Sequence, residues 1–292
     1  MSQRLKIAFV AVLVLVNVGL VFLVREKMAD SEAKAARATS TPAPTSSESP
    51  TPEPEPQSRP GGPQSLAVAD DDSIFRIHGG SCDGKAGPAI TVSTDGGATF
   101  DDVGLPEDIR AVFMLTAKNA DTLDLVAAPE SCEPQRFVST DGGEAWEAAE
   151  GADVWFLGPR NRVTAPVGVV EPGCTETLTL SAPNPDMARV FCATGVLIGT
   201  TDAGETWKRL GTLDDVKAAA YATARVGYAL APDGGCATGS YSTENAGRTW
   251  TPAGCLDAAP GRALAANRNL VAAIAGDAIY VSDDGGRTWT KG

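Results

Sequence analysis

Hydrophobic and polar positions divide the chain into three stretches. From Ile7 to Val24 there are 18 residues without a charge, interrupted only by Asn17 and Gly19 and preceded by Arg4 and Lys6. That length just reaches the minimum for a membrane-spanning helix. From Thr39 to Pro63 the sequence TSTPAPTSSESPTPEPEPQSRPGGP offers almost nothing apolar to bury and carries a proline every few residues. Such a segment is expected to stay extended and unfolded. After Leu66, short runs rich in Val, Ala and Thr alternate with Gly-containing polar turns, the pattern of an all-β domain.

The apolar run is read as an uncleaved signal anchor, which sets four regions: residues 1–6 as a cytoplasmic N-terminus, 7–24 as a transmembrane helix, 25–65 as a Pro/Ser/Thr-rich disordered linker, and 66–292 as the folded domain. A cleaved signal peptide has a shorter apolar core followed by a small-residue cleavage site. Here Arg25, Glu26 and Lys27 follow at once, although the alanines between Ala33 and Ala38 leave cleavage open. At about 3.1 Å per residue in a polyproline-like conformation, residues 28–65 would reach on the order of 100 Å from a bilayer.

Within the folded stretch one pattern occurs five times: Ser93 to Phe100 (STDGGATF), Ser139 to Trp146 (STDGGEAW), Thr200 to Trp207 (TTDAGETW), Thr243 to Trp250 (TENAGRTW) and Ser282 to Trp289 (SDDGGRTW). A β-rich run precedes each (AITVST, RFVST, VLIGTT, TGSYST, AIYVSD), and the aromatic residue opens another strand, so each segment is a hairpin turn. Asp95, Asp141, Asp202, Asn245 and Asp284 are expected to accept hydrogen bonds from backbone N–H groups one or two residues on. Gly97, Gly143, Gly204, Gly247 and Gly286 supply a positive φ that a residue with a Cβ resists. The aromatic side chain then packs between sheets.

The Asp position recurs at intervals of 46, 61, 43 and 39 residues, periods that suit one four-stranded propeller blade per repeat. Five repeats give five blades. The 61-residue interval is too long for one blade and too short for two; it is read as a blade with an inserted hairpin around Val169 to Ala188, including the turn Pro183-Asn184-Pro185. A sixth blade without the motif is the alternative.

These five segments resemble the Asp-box (BNR) repeats of sialidases, sortilin-type receptors and photosystem II assembly factor-like proteins. The resemblance covers residues 66–292. It implies a β-propeller with the boxes on the outer rim between the last two strands of each blade. Asn245 departs from the pattern, keeping a turn-closing side chain without the charge.

Charge and cysteines narrow the function. Residues 66–292 carry 17 Lys and Arg against 31 Asp and Glu. A domain with that excess of negative charge has no basic face for phosphates, which argues against nucleic acid as a partner. Six cysteines (Cys82, Cys132, Cys174, Cys192, Cys236, Cys255) lie in the folded part without a CxxC pair, and His78 is the one histidine. Three disulfides in an oxidising compartment fit that count better than zinc, which places the domain outside the cytoplasm on a single-pass anchor in the cell membrane. Connectivity is not readable from sequence; neighbours in order is the working pairing, led by Cys236 with Cys255, which flank one hairpin turn.

Phe75-Arg76-Ile77-His78 resembles the F/YRIP motif that supplies sialidases with the first arginine of a carboxylate-binding triad. Such an enzyme also needs an acid Asp and a Glu-activated Tyr nucleophile. His78 stands where the motif has Pro, and only 19 residues separate Arg76 from Asp95, little room for an acid-bearing loop. Arg76 is thus the one catalytic candidate, with a strand residue as its ordinary reading and a loop or surface position as that of His78. The boxes supply only one or two carboxylates each, too few for a calcium loop, and Asp70-Asp71-Asp72, which together could bind a cation loosely, reads as a solvated loop, so no metal and no cofactor are expected.

The reading that remains is a membrane-anchored, extracytoplasmic, non-catalytic scaffold that binds an envelope protein. The alternatives are a sialidase-like exo-glycosidase and a catalytically inactive glycan-binding module. For glycan binding, Trp155 and Phe156 are the aromatic pair outside the boxes, and strand alternation would bury one and expose the other.

Overall fold

The computed structural model describes residues 63–151, 154–158, 162–256 and 260–292. The helix expected at 7–24 and the linker as far as residue 62 lie outside these residues. Among the described residues there is no α-helix, and the first strand begins at Gln64, taking in two residues of the stretch read as linker.

The strands form six antiparallel sheets that follow one another along the chain, a six-bladed β-propeller. Blade 1 comprises β1 (Gln64–Val68), β2 (Ile74–Gly79), β3 (Pro88–Ser93) and β4 (Asp101–Val103). Blade 2 comprises β5 (Ala111–Ala117), β6 (Leu123–Ala128), β7 (Gln135–Ser139) and β8 (Glu147–Ala149). Blade 3 has three strands, β9 (Phe156–Leu157), β10 (Val163–Ala165) and β11 (Gly168–Val170). Blade 4 runs from β12 (Thr177–Asn184) through β13 (Met187–Cys192) and β14 (Val196–Thr200) to β15 (Lys208–Thr212). Blade 5 contains β16 (Ala218–Tyr221), β17 (Gly227–Asp233), β18 (Cys236–Thr243) and β19 (Thr251–Leu256). Blade 6 contains β20 (Gly261–Ala266), β21 (Val271–Ala275), β22 (Ala278–Ser282) and β23 (Thr290–Lys291).

Six blades correct the expectation of five. The long interval holds a small blade without a box, and the region read as an inserted hairpin is divided between β11 and the first two strands of blade 4. Its internal bonding shows which strand blade 3 lacks. In blades 1, 2, 5 and 6 the loop between the first two strands is closed by a backbone bond: Ala69 N to Ser73 O, Lys118 N to Thr122 O, Ala222 N to Val226 O, and Asn267 N to Leu270 O. The loop between β9 and β10 is closed in the same way, Gly158 N to Arg162 O at 2.8 Å. β9, β10 and β11 are therefore first, second and third strands, and no outermost fourth occurs among the described residues. Glu171–Glu176 instead leads inward to β12, and Cys174 in that connection is bonded to Cys192 at the end of β13.

First strands line the centre, β1 beside β5 and β20, and β16 beside β12 and β20. Alanine is a weak strand former, yet Ala218, Ala219, Ala220, Ala263, Ala265, Ala272 and Ala273 are all buried in β16, β20 and β21. Small side chains suit the taper where blades converge. Larger ones fill the wedges between blades: Phe75, Ile77, Ile90, Leu123 and Leu125 between blades 1 and 2, and Phe191, Leu197 and Tyr221 between 4 and 5. Blades 3 and 4, 5 and 6, and 6 and 1 are joined by similar clusters.

All four strands of blade 1 and all four of blade 6 are consecutive in the chain, so the ring closes by packing without strand exchange. Leu66 and Phe100 of blade 1 pack on Ala263, Ile274 and Ile279 of blade 6.

Candidate functional site

Each Asp box is a hydrogen-bonded unit that its spelling explains. In the first, Ser93 Oγ donates to Asp95 Oδ1 at 2.8 Å and accepts from Gly97 N at 2.8 Å, while Asp95 Oδ1 also accepts from Thr99 N at 2.9 Å. The carboxylate thus reaches four residues ahead, not one or two, and spans the whole turn. The same reach joins Asp141 to Ala145 N, Asp202 to Thr206 N, Asn245 to Thr249 N and Asp284 to Thr288 N. Asn245 compensates for its missing charge by donating Nδ2 to Thr249 Oγ1 at 2.8 Å. The box glycines lie at φ between 83° and 99°. The opening Ser or Thr, which the sequence reading passed over, accepts from that glycine's N–H in all five boxes.

Hydrogen bonds to a charged carboxylate stabilise its ionised form. The Thr99 hydroxyl and amide hold Asp95 at a pKa of about 2, and the Thr200 and Thr206 hydroxyls do the same for Asp202. Asp284, bonded chiefly by Thr288, and Asp141, bonded by Ala145 N–H, are lowered as well. These carboxylates are structural anions.

The box aromatics link each blade to the one before it. Trp146 Nε1 donates to Gly104 O at 3.0 Å, Trp250 lies 5.8 Å from the Phe191 ring, and Trp207 meets Trp155 edge-on at 5.8 Å. A glycine four residues beyond the aromatic lets the next box approach. A Cβ on Gly104 would lie 2.5 Å from Gly143 O, and one on Gly254 2.5 Å from Gly286 O.

The arginines are dispersed. Arg76 lies on β2 opposite Leu66 and Thr91, and His78 lies on the same strand opposite Gln64 and Ala89, which corrects its reading as a loop residue. Gln64 Oε1, Arg76 Nε and His78 Nδ1 are buried without a hydrogen-bond partner among the described residues. Burial, with Arg76 nearby, lowers the His78 pKa. Arg136 on β7 makes a two-pronged ion pair with Asp124 on β6, Nη2 to Oδ2 at 2.6 Å. Arg189, buried on β13, donates to the carbonyls of Ala188, Thr200 and Ala224. Arg76, Arg136 and Arg189 thus sit on second and third strands of blades 1, 2 and 4.

Trp155 and Phe156 are both buried, which corrects the expectation that one would be exposed. Trp155 Nε1 donates to Pro185 O at 2.8 Å, and Phe156 packs 6.1 Å from Phe113 of blade 2. Among the described residues, disulfides join Cys82 to Cys132 and Cys174 to Cys192, but none joins Cys236 to Cys255. The β18–β19 register places Gly239 opposite Cys255, so Cys236 lies three residues away along the ladder.

The junction of blades 2 and 3 is built differently from the others. Val126, Arg136, Ala148 and Ala149 of blade 2 face Phe156, Thr164 and Gly168 of blade 3 across a cavity of about 420 Å³. Val167 and Val169, on either side of Gly168, are 52% and 55% exposed. Among the described residues no group of three or more potential metal ligands occurs.

Comparison with known proteins agrees on the fold and the repeat. The BNR/Asp-box repeat family model matches residues 280–291. Compared with curated proteins by sequence, the chain has no match. Among solved structures it is similar to AofleA from Arthrobotrys oligospora, with 8% identity and a TM-score of 0.51 over 80% of this chain and 87% of that one. YCF48 from Cyanidioschyzon merolae shares 16% identity at a TM-score of 0.32 over 78% of this chain and 84% of that one. The GH74 xyloglucanase from Xanthomonas campestris shares 19% at 0.30, over 78% of this chain and 38% of its own length. At these identities the likeness concerns the fold alone.

Proposed function

We propose that this chain is a non-catalytic binding scaffold, held outside the cytoplasm by its N-terminal anchor, whose propeller engages a polypeptide of the cell envelope. The observation that carries this reading is the employment of its chemically capable side chains in the frame. Box carboxylates close turns, Arg136 is paired with Asp124, and Arg189 ties three carbonyls together. A rigid ring whose loops and edges vary independently of that frame is a surface for recognition. The two disulfides support an oxidising location.

A glycan-binding reading loses its exposed aromatic, since Trp155 and Phe156 are inside. The enzymatic alternative has a direct test, in which the purified full chain is offered fluorogenic sialosides and a panel of other glycosides, beside Arg76→Ala. No turnover by folded protein is expected; turnover abolished in the variant would make the protein a glycosidase. Cross-linking of the full chain in its own envelope, followed by identification of covalent partners, tests the scaffold reading itself. Recovery of carbohydrate adducts alone, without any polypeptide, would overturn it.

A further inference from the structure

Blade 3 presents an unfilled strand position. Its sheet has two faces set by alternation. Leu157, Val163 and Val170 pack toward blade 4. Phe156, Thr164 and Val169 form the cross-strand row on the other face, and the first two line the cavity toward blade 2. In the other five blades a fourth strand pairs with the third. Here the row ends at Val169, which is more than half exposed, and the outer edge of β11 pairs with no described strand. The cavity reaches from Gly168 of β11 to Ala148 and Ala149 on the outermost strand of blade 2.

We propose that an extended segment of a partner polypeptide adds to β11 as the fourth strand of blade 3, with one apolar residue over the cavity and basic residues two positions to either side of it. The inference rests on the scaffold reading above and gives it a site. Strand addition supplies main-chain hydrogen bonds, and a side-chain pocket supplies selectivity. One apolar side chain of the added strand would lie beside Val169 over the cavity, where Ala148 and Ala149 leave room. Basic residues two positions to either side of that apolar residue share its face and meet the exposed Glu147, Glu150 and Glu171, on a domain with 31 acidic against 17 basic residues. That excess opposes a second copy of this chain at the same edge. Pro172 limits the pairing to a short stretch, because it has no N–H to donate. Affinity must therefore come largely from the pocket.

The test pans a random dodecapeptide display library against the purified full chain, then measures the consensus peptide by fluorescence anisotropy. An apolar residue with Lys or Arg two positions to either side is expected. Binding should fall at least about tenfold in Val169→Lys, which places a like charge at the edge, and in Ala149→Trp, which fills the cavity. That loss corresponds to about 1.4 kcal/mol. A proline at the centre of the peptide should abolish binding. Circular dichroism and melting of both variants report that they remain folded. Absence of any enriched peptide, or a consensus that binds both variants and tolerates proline as well as before, overturns the proposal. So does concentration-dependent dimerisation that Val169→Lys abolishes, which would give the edge to a second copy. If the edge fails while envelope cross-linking still recovers a polypeptide, this site falls and the scaffold reading stands.

Discussion

Asn267 of the last blade donates from Nδ2 to Asp72 Oδ1 of the first at 2.7 Å, and the same nitrogen reaches Ala69 O at 2.6 Å. Asp72 also accepts from Asn269 at 3.3 Å. Residues 195 positions apart thereby pin the two ends of a ring that has no exchanged strand. Neighbouring Asp71 secures the same loop by accepting from Ser73 N and Ala120 N. Asp70-Asp71-Asp72, weighed in the sequence as a loose cation loop, is part of the closure.

Asn267→Ala should lower unfolding stability by about 1.5–3 kcal/mol, the range for a hydrogen bond to a charged group. Denaturant titration of Asn267→Ala, Asp72→Ala and the double variant should show costs that do not add. Additive losses would mean the two residues stabilise separate features.

The box residue before the glycine also lies at positive φ, 56° at Ala203 and 64° at Ala246. A left-handed conformation costs an L-residue about 1–2 kcal/mol, part of which glycine gives back through its freer unfolded chain. Ala246→Gly should therefore raise stability by about 0.5–1 kcal/mol, seen as a higher Tm.

Gly254 meets the carbonyl of Gly286 across the blade 5–6 junction. Gly254→Ala would press a methyl group into backbone that cannot yield, at a cost of about 1–3 kcal/mol. An unchanged Tm would show that the blades can separate to accommodate it.

Acid should weaken the fold in two stages of the same sign. The His78 pKa is lowered in the folded state, so the unfolded chain binds the proton more readily and stability falls as pH drops through about 6.5 and below. The Asp95 and Asp202 carboxyls, at about 2 when folded, contribute stability that is present above their unfolded pKa near 4 and is lost as pH falls toward 2. Melting curves against pH should show both stages, and His78→Gln should remove only the first.

Cys174 and Cys192 close a short loop, 18 residues apart in sequence, that draws the connection after β11 toward blade 4. Replacing both with Ala should cost about 2–4 kcal/mol through the freer unfolded chain. Free-thiol counting before and after reduction, with melting of each state, checks this.

The boxes were legible because their chemistry is local. Asp95, Gly97 and the hydroxyl of Ser93 act within a single turn, so five repeats state the fold and its period without reference to anything distant. The glycine partners of three of the turns were less visible. Gly104, Gly211 and Gly254 follow the box aromatic at a fixed offset of four, but the carbonyl each of them accommodates belongs to the next blade.

By itself the sequence determined the strand-and-turn repeat, the all-β class and the acidic surface, since each follows from neighbours along the chain. Tertiary structure decided the number of blades, because β9, β10 and β11 carry no box and become a blade only by fitting between blades 2 and 4. It decided the disulfides too, because strand register, not proximity in sequence, sets Cys236 away from Cys255. The same holds for the open edge at Val169. An edge exists only where a neighbouring strand is missing, and alternation within a strand cannot report what lies beside it.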